Sequence, residues 1–417
     1  MFKKLFQVAV IPSVILLMTS LTVSADGPYL EFLEHHQDDN GGITNFRPWG
    51  LAITPDQKYV YTASSDQDTI QIFSRNLTSG TLTYQGDIAD FHPGSGTGIE
   101  GLNKPHAVAV SPDDRHVYVV GDDDNALVVF QRDEVGGVLM GSLTFIERHV
   151  DGEAGVDGLG SVYWVTVSPD GKHVYTTSVD DHAVSHFDRD AATGKLTFVE
   201  THKDETGGIT KLAFPRQFTV SPDGKNVYVS SRSDFALVVF DRDIDTGNLR
   251  LRQEVVYDNA EGPFFGRVQD VVVSPDNRHV YIAGLSAVSL YHRDLDTGSL
   301  THGRDYIWNE DDTSDNLRNA HGITVSPDGH SIFIVSDVND TLFFFARDPR
   351  TGLLFLIEEQ TDNLNGVEGL EDARDVIISP DMRNIYVTGN GDRAISVFRL
   401  TGDLPKIQHL SLPIIMQ

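Results

Sequence analysis

The chain has 417 residues, with 61 acidic against 32 basic side chains and a formal charge of −29. An acidic excess of that size argues against nucleic acid and against anionic membrane surfaces as partners. There is no cysteine, which excludes disulfides, thiolate chemistry and lipid attachment through Cys, so stability rests on burial and strand pairing.

Residues 1–25 read as a secretory signal peptide. Lys3 and Lys4 precede an apolar run from Leu5 to Leu21, and Val23-Ser24-Ala25 offers small residues for cleavage before Asp26. Pro12 splits the run and no second apolar stretch follows, so the expectation is cleavage and not a retained anchor. Cleavage would leave 30 basic against 61 acidic residues and a charge of −31. The expectation is a monomeric extracytoplasmic protein, periplasmic or secreted, with no stable membrane insertion. Residues 26–417 read as a single domain, because no linker breaks the repeat that follows.

Seven Ser/Thr-Pro-Asp turns begin at Thr54, Ser111, Ser168, Ser221, Ser274, Ser326 and Ser379, with gaps of 57, 57, 53, 53, 52 and 53 residues. That period is too long for the common helical repeats and holds four short strands. In the third repeat, strand a is Trp164-Val165-Thr166-Val167. The turn Ser168-Pro169-Asp170-Gly171 has Pro to preset φ, Asp to bond its own backbone and Gly to take positive φ. Gln57 and Met382 replace the Gly, Asn or Asp of the other turns, which predicts less strained turns at those two places. Strand b follows at His173–Thr177, strand c at Ala183–Phe187 and strand d at Leu196–Glu200.

An aromatic recurs on strand b (Tyr61, Tyr118, Tyr175, Tyr228, Tyr281, Phe333, Tyr386) and on strand c (Phe73, Phe130, Phe187, Phe240, Tyr291, Phe345, Phe398). Aromatics at matching places predict an inter-blade packing layer. Two residues past the strand-c aromatic comes an Arg, except in the last repeat, where Arg399 is one residue early; each is expected to pair with its adjacent Asp. Four antiparallel strands repeated seven times make an all-β, seven-bladed β-propeller. Two segments compete for the last outer strand: Leu30 to His36, which matches the d strands from Leu143 and Leu196, and Leu404 to Gln408. Pro405 weakens the second, so the N-terminal segment is expected to close the ring.

Five residues before each turn the repeats stop being alike. These positions hold Trp49, His106, Tyr163, Arg216, Gln269, His321 and Arg374, none of them aliphatic. Strand a is innermost, so they form a ring at one mouth of the channel. Two imidazoles and two guanidiniums on one axis suit a titratable base beside an oxyanion; the plainer alternative is the polar lining of a wet tunnel. His106, Arg216, His321 and Arg374 are the catalytic candidates. Trp49, Tyr163 and Gln269, with Lys104 and Arg267 behind them, are candidates for substrate binding, and Asp270 and Asp375 would stand just behind the ring.

The same face carries many carboxylates, among them Asp122-Asp123-Asp124, Asp180-Asp181, Asp38-Asp39 and Glu310-Asp311-Asp312. Oxygen-rich groups have the chemistry to hold Ca2+, but no segment has EF-hand spacing and Asp in hairpin turns needs no metal. No zinc spacing, nucleophile elbow or phosphate loop occurs, and no metal ligand is assigned.

The strings Val108-Ala109-Val110-Ser111-Pro112-Asp113, His116-Val117-Tyr118-Val119 and Leu127-Val128-Val129-Phe130-Gln131-Arg132-Asp133, with the turn Thr193-Gly194-Lys195-Leu196, resemble the lactonase-type seven-bladed propellers. That family includes 6-phosphogluconolactonases and carboxymuconate-lactonising enzymes, and the likeness spans roughly residues 29–410. It implies His, Arg and Glu at the channel mouth. Here His106, His321, Arg216 and Arg374 carry over, whereas no Glu stands in the ring. Two functions are expected: an exported hydrolase of a sugar-acid or related lactone, or a non-catalytic propeller whose acidic face binds a carbohydrate, cation or protein partner.

Overall fold

The computed structural model describes residues 19–22, 28–38, 42–44, 46–90, 98–133, 142–256, 267–285, 287–307, 317–402 and 404–409. Most of the expected signal segment lies outside them, as do Asp39 and Glu310-Asp311-Asp312. Among the described residues there is no helix, and seven four-stranded antiparallel sheets form, each hydrogen-bonded in the order a, b, c, d. The a strands are Pro48–Ile53, Pro105–Val110, Val162–Val167, Pro215–Val220, Val268–Val273, Ala320–Val325 and Ala373–Ile378. Each touches the next, and the seventh returns to the first. The result is a closed seven-bladed propeller around a central channel, in which only short outer edges remain.

Strand b is buried along its whole length in every blade. Both of its faces meet neighbouring blades, which is why it is rich in β-branched and aromatic residues. All seven b-strand aromatics are fully buried, and the seven on strand c are buried too.

The ring closes through the N-terminal segment. Leu30–Gln37 pairs antiparallel with Ala394–Leu400 as the outer strand of the seventh blade. The sixth blade holds its start, where Glu358 Oε2 accepts the Tyr29 N–H at 2.6 Å. Earlier blades are joined the same way: Glu34, Glu147 and Glu200 accept the N–H groups of Leu82, Leu196 and Leu249 at 2.7 Å. The rival segment Lys406–His409 pairs with Thr19–Thr22, outside the seven sheets.

The Ser/Thr-Pro-Asp turn fastens one blade to the next. Ser168 Oγ donates to Asp170 at 2.5 Å and accepts the His173 N–H at 3.1 Å. Arg242 of the next blade donates to Asp170 at 3.0 Å, to the Tyr175 hydroxyl at 2.8 Å and to His173 Nδ1. The pairing expected from sequence, each Arg with its adjacent Asp, is therefore not the one formed. The adjacent Asp243 is occupied by its own turn, accepting the N–H groups of Asp245 and Thr246, so the guanidinium reaches back one blade. Arg75, Arg132, Arg189, Arg293 and Arg347 do likewise with Asp381, Asp56, Asp113, Asp223 and Asp276.

The seam between the sixth and seventh blades lacks this clamp. Arg399 turns outward to Glu31. On the sixth blade the b-strand aromatic is Phe333, packed in an apolar cluster with Leu400 and Tyr29. A buried phenol hydroxyl there would lack the guanidinium that donates to the tyrosine hydroxyl at other seams.

Gln57 and Met382 do not relax their turns. Their φ angles, 63° and 57°, match Asp114 at 66° and Gly171 at 70°. The backbone bonds Gln57 N–H to Thr54 O and Met382 N–H to Ser379 O, both 2.8 Å, impose the same turn in all seven blades. The left-handed conformation costs a non-glycine residue ~1–2 kcal/mol, which the fastenings on either side offset.

Candidate active site

In every blade the a–b ladder slips register where strand a begins, and the ring residue sits in the slip: His106 between Pro105 and Ala107, His321 between Ala320 and Gly322, Arg374 between Ala373 and Asp375. The other four blades repeat it. A bulge re-aims the side chain it carries. Trp49, His106, Tyr163, Arg216, Gln269, His321 and Arg374 thus converge on one cavity of about 300 Å³, open solvent at its mouth included. Gly50 and Asp375 also line it. A Cβ at Gly50 would fall 2.7 Å from the His106 carbonyl oxygen, so this position admits no side chain.

The aromatic members form a cluster. The His106 ring stacks on Tyr163 at 4.6 Å, and Trp49 meets His106 edge-on at 4.8 Å. Arg216 lies 4.9 Å over Tyr163, and Arg374 lies 5.3 Å over Trp49. Arg216 Nη1 donates to Gln269 Oε1 at 3.1 Å.

The two histidines are held in different ways. His106 Nε2 bonds Asp122 Oδ2 at 3.2 Å, and Asp122 is itself held by Ser161 and by Lys104 Nζ at 2.8 Å. With its proton on Nε2 facing the carboxylate, His106 has Nδ1 as a free base, and that atom is buried without a partner. Burial lowers the His106 pKa, and Asp122 works against that shift. His321 Nδ1 donates to the Arg374 carbonyl at 2.9 Å, leaving Nε2 buried and unpartnered. Burial, with Arg374 and Arg216 adding to it, pushes the His321 pKa well down, so this imidazole stays neutral and is the poorer proton acceptor.

Lys104 and Arg267 are not among the residues lining the cavity. Lys104 bridges Asp122 and Asp123, and Arg267 is exposed. A second tier, not recognised from sequence, stands above the ring: the first residue of each b–c turn, namely Ser65, Asp122, Val179, Arg232, Leu285, Asp337 and Asn390. In all seven blades its N–H donates to the carbonyl two residues before the ring position, as Asp122 does to Lys104 and Arg232 to Phe214. This tier supplies Asp122 to His106 and Asp337 to Arg374, the latter at 3.1 Å. Its sequence signal was available, since these seven positions also differ from blade to blade.

Two carboxylates sit one residue past the ring. Asp375 Oδ2 accepts the Leu51 N–H and Asp270 Oδ2 the Ile323 N–H, each at 2.9 Å and each from the following blade. Burial raises both pKa values, Asp375 to about 6.

Two groups among the described residues have metal-like spacing. At Asp151, Asp157 and Asp181, the Lys203 ammonium already lies 2.8 Å from Asp157 and 3.1 Å from Asp181. At His173, His186 and Asp188, Arg242 donates to His173 Nδ1. That places the ring proton on Nε2, the atom a metal would need. Neither group is a ready ligand set.

A family model described as "Lactonase, 7-bladed beta-propeller" matches residues 108–262 and 269–414. The 6-phosphogluconolactonase of Bacillus subtilis is 26% identical over 204 residues, covering 49% of this chain and 52% of that protein, so the match spans about half the relative's length. The solved Pseudomonas aeruginosa periplasmic gluconolactonase superposes with a TM-score of 0.58 at 19% identity, over 75% of this chain and 85% of that one. Kuenenia stuttgartiensis hydrazine synthase superposes with a TM-score of 0.63 at 17% identity, over 88% and 99%. Likeness at such identities shows the fold alone, and one of these neighbours is named for a different chemistry.

Proposed function

The chain belongs to the lactonase family of seven-bladed β-propellers, and on that premise we propose that it hydrolyses a sugar-acid or related lactone at the ringed mouth of its channel. One observation carries the reading: a carboxylate-oriented imidazole with a free nitrogen, His106 on Asp122, shares a single cavity with Arg216 and Arg374. His106 Nδ1 takes a proton from water as the water oxygen attacks the lactone carbonyl. Arg216, which has no carboxylate partner among the described residues, stabilises the tetrahedral oxyanion. Collapse breaks the ring C–O bond, and His106 returns the proton to the departing alkoxide, giving the open hydroxy acid. Trp49, the partly exposed ring of the cluster, offers a face for a sugar ring.

Export belongs to the same proposal. It is supported by Lys3 and Lys4 ahead of the apolar run Leu5–Leu21 and by the small residues Val23-Ser24-Ala25 that follow. The test is release of acid from simple aldonolactones by the purified protein, against buffer and against His106→Ala. A wild-type rate equal to buffer for every lactone offered would rule the hydrolase out, and a His106→Ala protein as active as wild type would remove His106 as its base.

A further inference from the structure

Arg232 belongs to none of the roles above and is not among the residues lining the cavity, yet it lies beside Arg216, which is. It is the second-tier residue of the fourth blade, directly above Arg216. The Phe214 ring holds the two together: Arg216 lies 5.8 Å and Arg232 5.6 Å from its centroid. Phe214 is itself kept at φ 60°, a left-handed conformation that a bulky aromatic rarely adopts. Its backbone is pinned on both sides, the N–H donating to His182 Nδ1 at 3.0 Å and the carbonyl accepting the Arg232 N–H at 3.1 Å. The equivalent residues Lys104, Ser161, Asn319 and Asp372 are left-handed too, with φ of 54°, 52°, 52° and 54°, so the repeat imposes the conformation and here it carries an aromatic ring.

Arg374, across the ring, is matched by Asp337 and Asp372. Neither Arg216 nor Arg232 has a carboxylate within ion-pair distance among the described residues, and the Nε atom of each is buried without a partner. Burial and the nearby Arg216 and Arg267 push the Arg232 pKa down to about 10. In a chain of formal charge −29, two unmatched guanidiniums on one aromatic ring make a local positive site in a negative field.

We propose that Arg232 seats a second anionic group of the ligand, a carboxylate or phosphate distinct from the carbonyl oxygen that Arg216 stabilises, and that it is the residue that selects ligands carrying one. Planar guanidinium forks suit both groups. This deepens the hydrolase reading by naming the charge its substrate carries, but binding can be measured without turnover.

The experiment is calorimetric titration of the full-length protein at low ionic strength with inorganic phosphate, D-glucuronate and neutral glucose. Arg232→Ala and Arg232→Lys are run alongside, with thermal unfolding to verify folding. The expected result is one saturable site for an anion and none for glucose. Affinity should fall at least ~10-fold in Arg232→Ala, with partial recovery in Arg232→Lys, which keeps the charge but loses the fork. Tighter phosphate points to a phosphoryl group and tighter glucuronate to a sugar carboxylate. Absence of saturable binding by either anion, or equal affinity in a folded Arg232→Ala, overturns the seat. Anion binding without lactone hydrolysis would overturn the catalytic reading and leave the seat standing.

Discussion

Asp375 Oδ2 accepts the Leu51 N–H at 2.9 Å, and this bond ties the seventh inner strand to the first. A cavity-lining carboxylate therefore also serves ring closure, and its titration is linked to folding.

Burial raises the Asp375 pKa from 3.8 to about 6, while the Leu51 and Val376 N–H groups pull against it. The folded state thus holds this proton to higher pH than the unfolded chain does. The associated stability is full below pH ~4 and is lost as pH rises through about 6. Asp375→Asn should remove roughly 2.4 kcal/mol of the stability difference between pH 4 and 7.5, measured by urea unfolding at both. An unchanged difference would show that the carboxyl does not titrate in this window.

The clamp between blades sets a second expectation. Arg242→Met takes the buried guanidinium from the Tyr175 hydroxyl and from Asp170, which keeps only the Ser168 hydroxyl and Lys172 N–H as donors, and should cost ~3–5 kcal/mol, the scale of breaking a buried pair. Phe333→Tyr adds a hydroxyl at the one seam without an arginine and should cost ~1–3 kcal/mol. Denaturant midpoints decide both, and a Phe333→Tyr protein as stable as wild type would contradict the reading of that seam.

In catalysis the two histidines should separate. His106→Ala should lower lactone turnover by ~10²–10⁴, and His321→Ala by clearly less. The acid limb of kcat/KM should lie below 6.5, because burial lowers the His106 pKa. Asp122 opposes that shift, so Asp122→Asn should move the limb to still lower pH. A limb that does not move in Asp122→Asn would take the base role away from His106.

For the acidic rim, Lys203 already sits on the all-carboxylate group Asp151, Asp157 and Asp181. The protein should gain thermal stability in NaCl about as readily as in CaCl2 at equal ionic strength, through screening. A large rise in Tm at micromolar to low-millimolar Ca2+, absent with NaCl, would point to a specific site.

The sequence by itself determined the blade count, the four-strand unit, the closing strand and the seven ring positions. Those features are local or periodic: each turn and strand repeats its own short-range chemistry seven times, and departure from the repeat marks the ring. Only the tertiary structure decided which groups meet across blades. Arg242 and Asp170 are 72 residues apart, and nothing local shows that the Asp beside Arg242 is already occupied. The same holds for His106 with Asp122 and for Arg232 above Arg216, because their partnership depends on a bulge and a turn from different strands reaching one channel mouth. Charge pairing acts through space, and the repeat records only what happens along the chain.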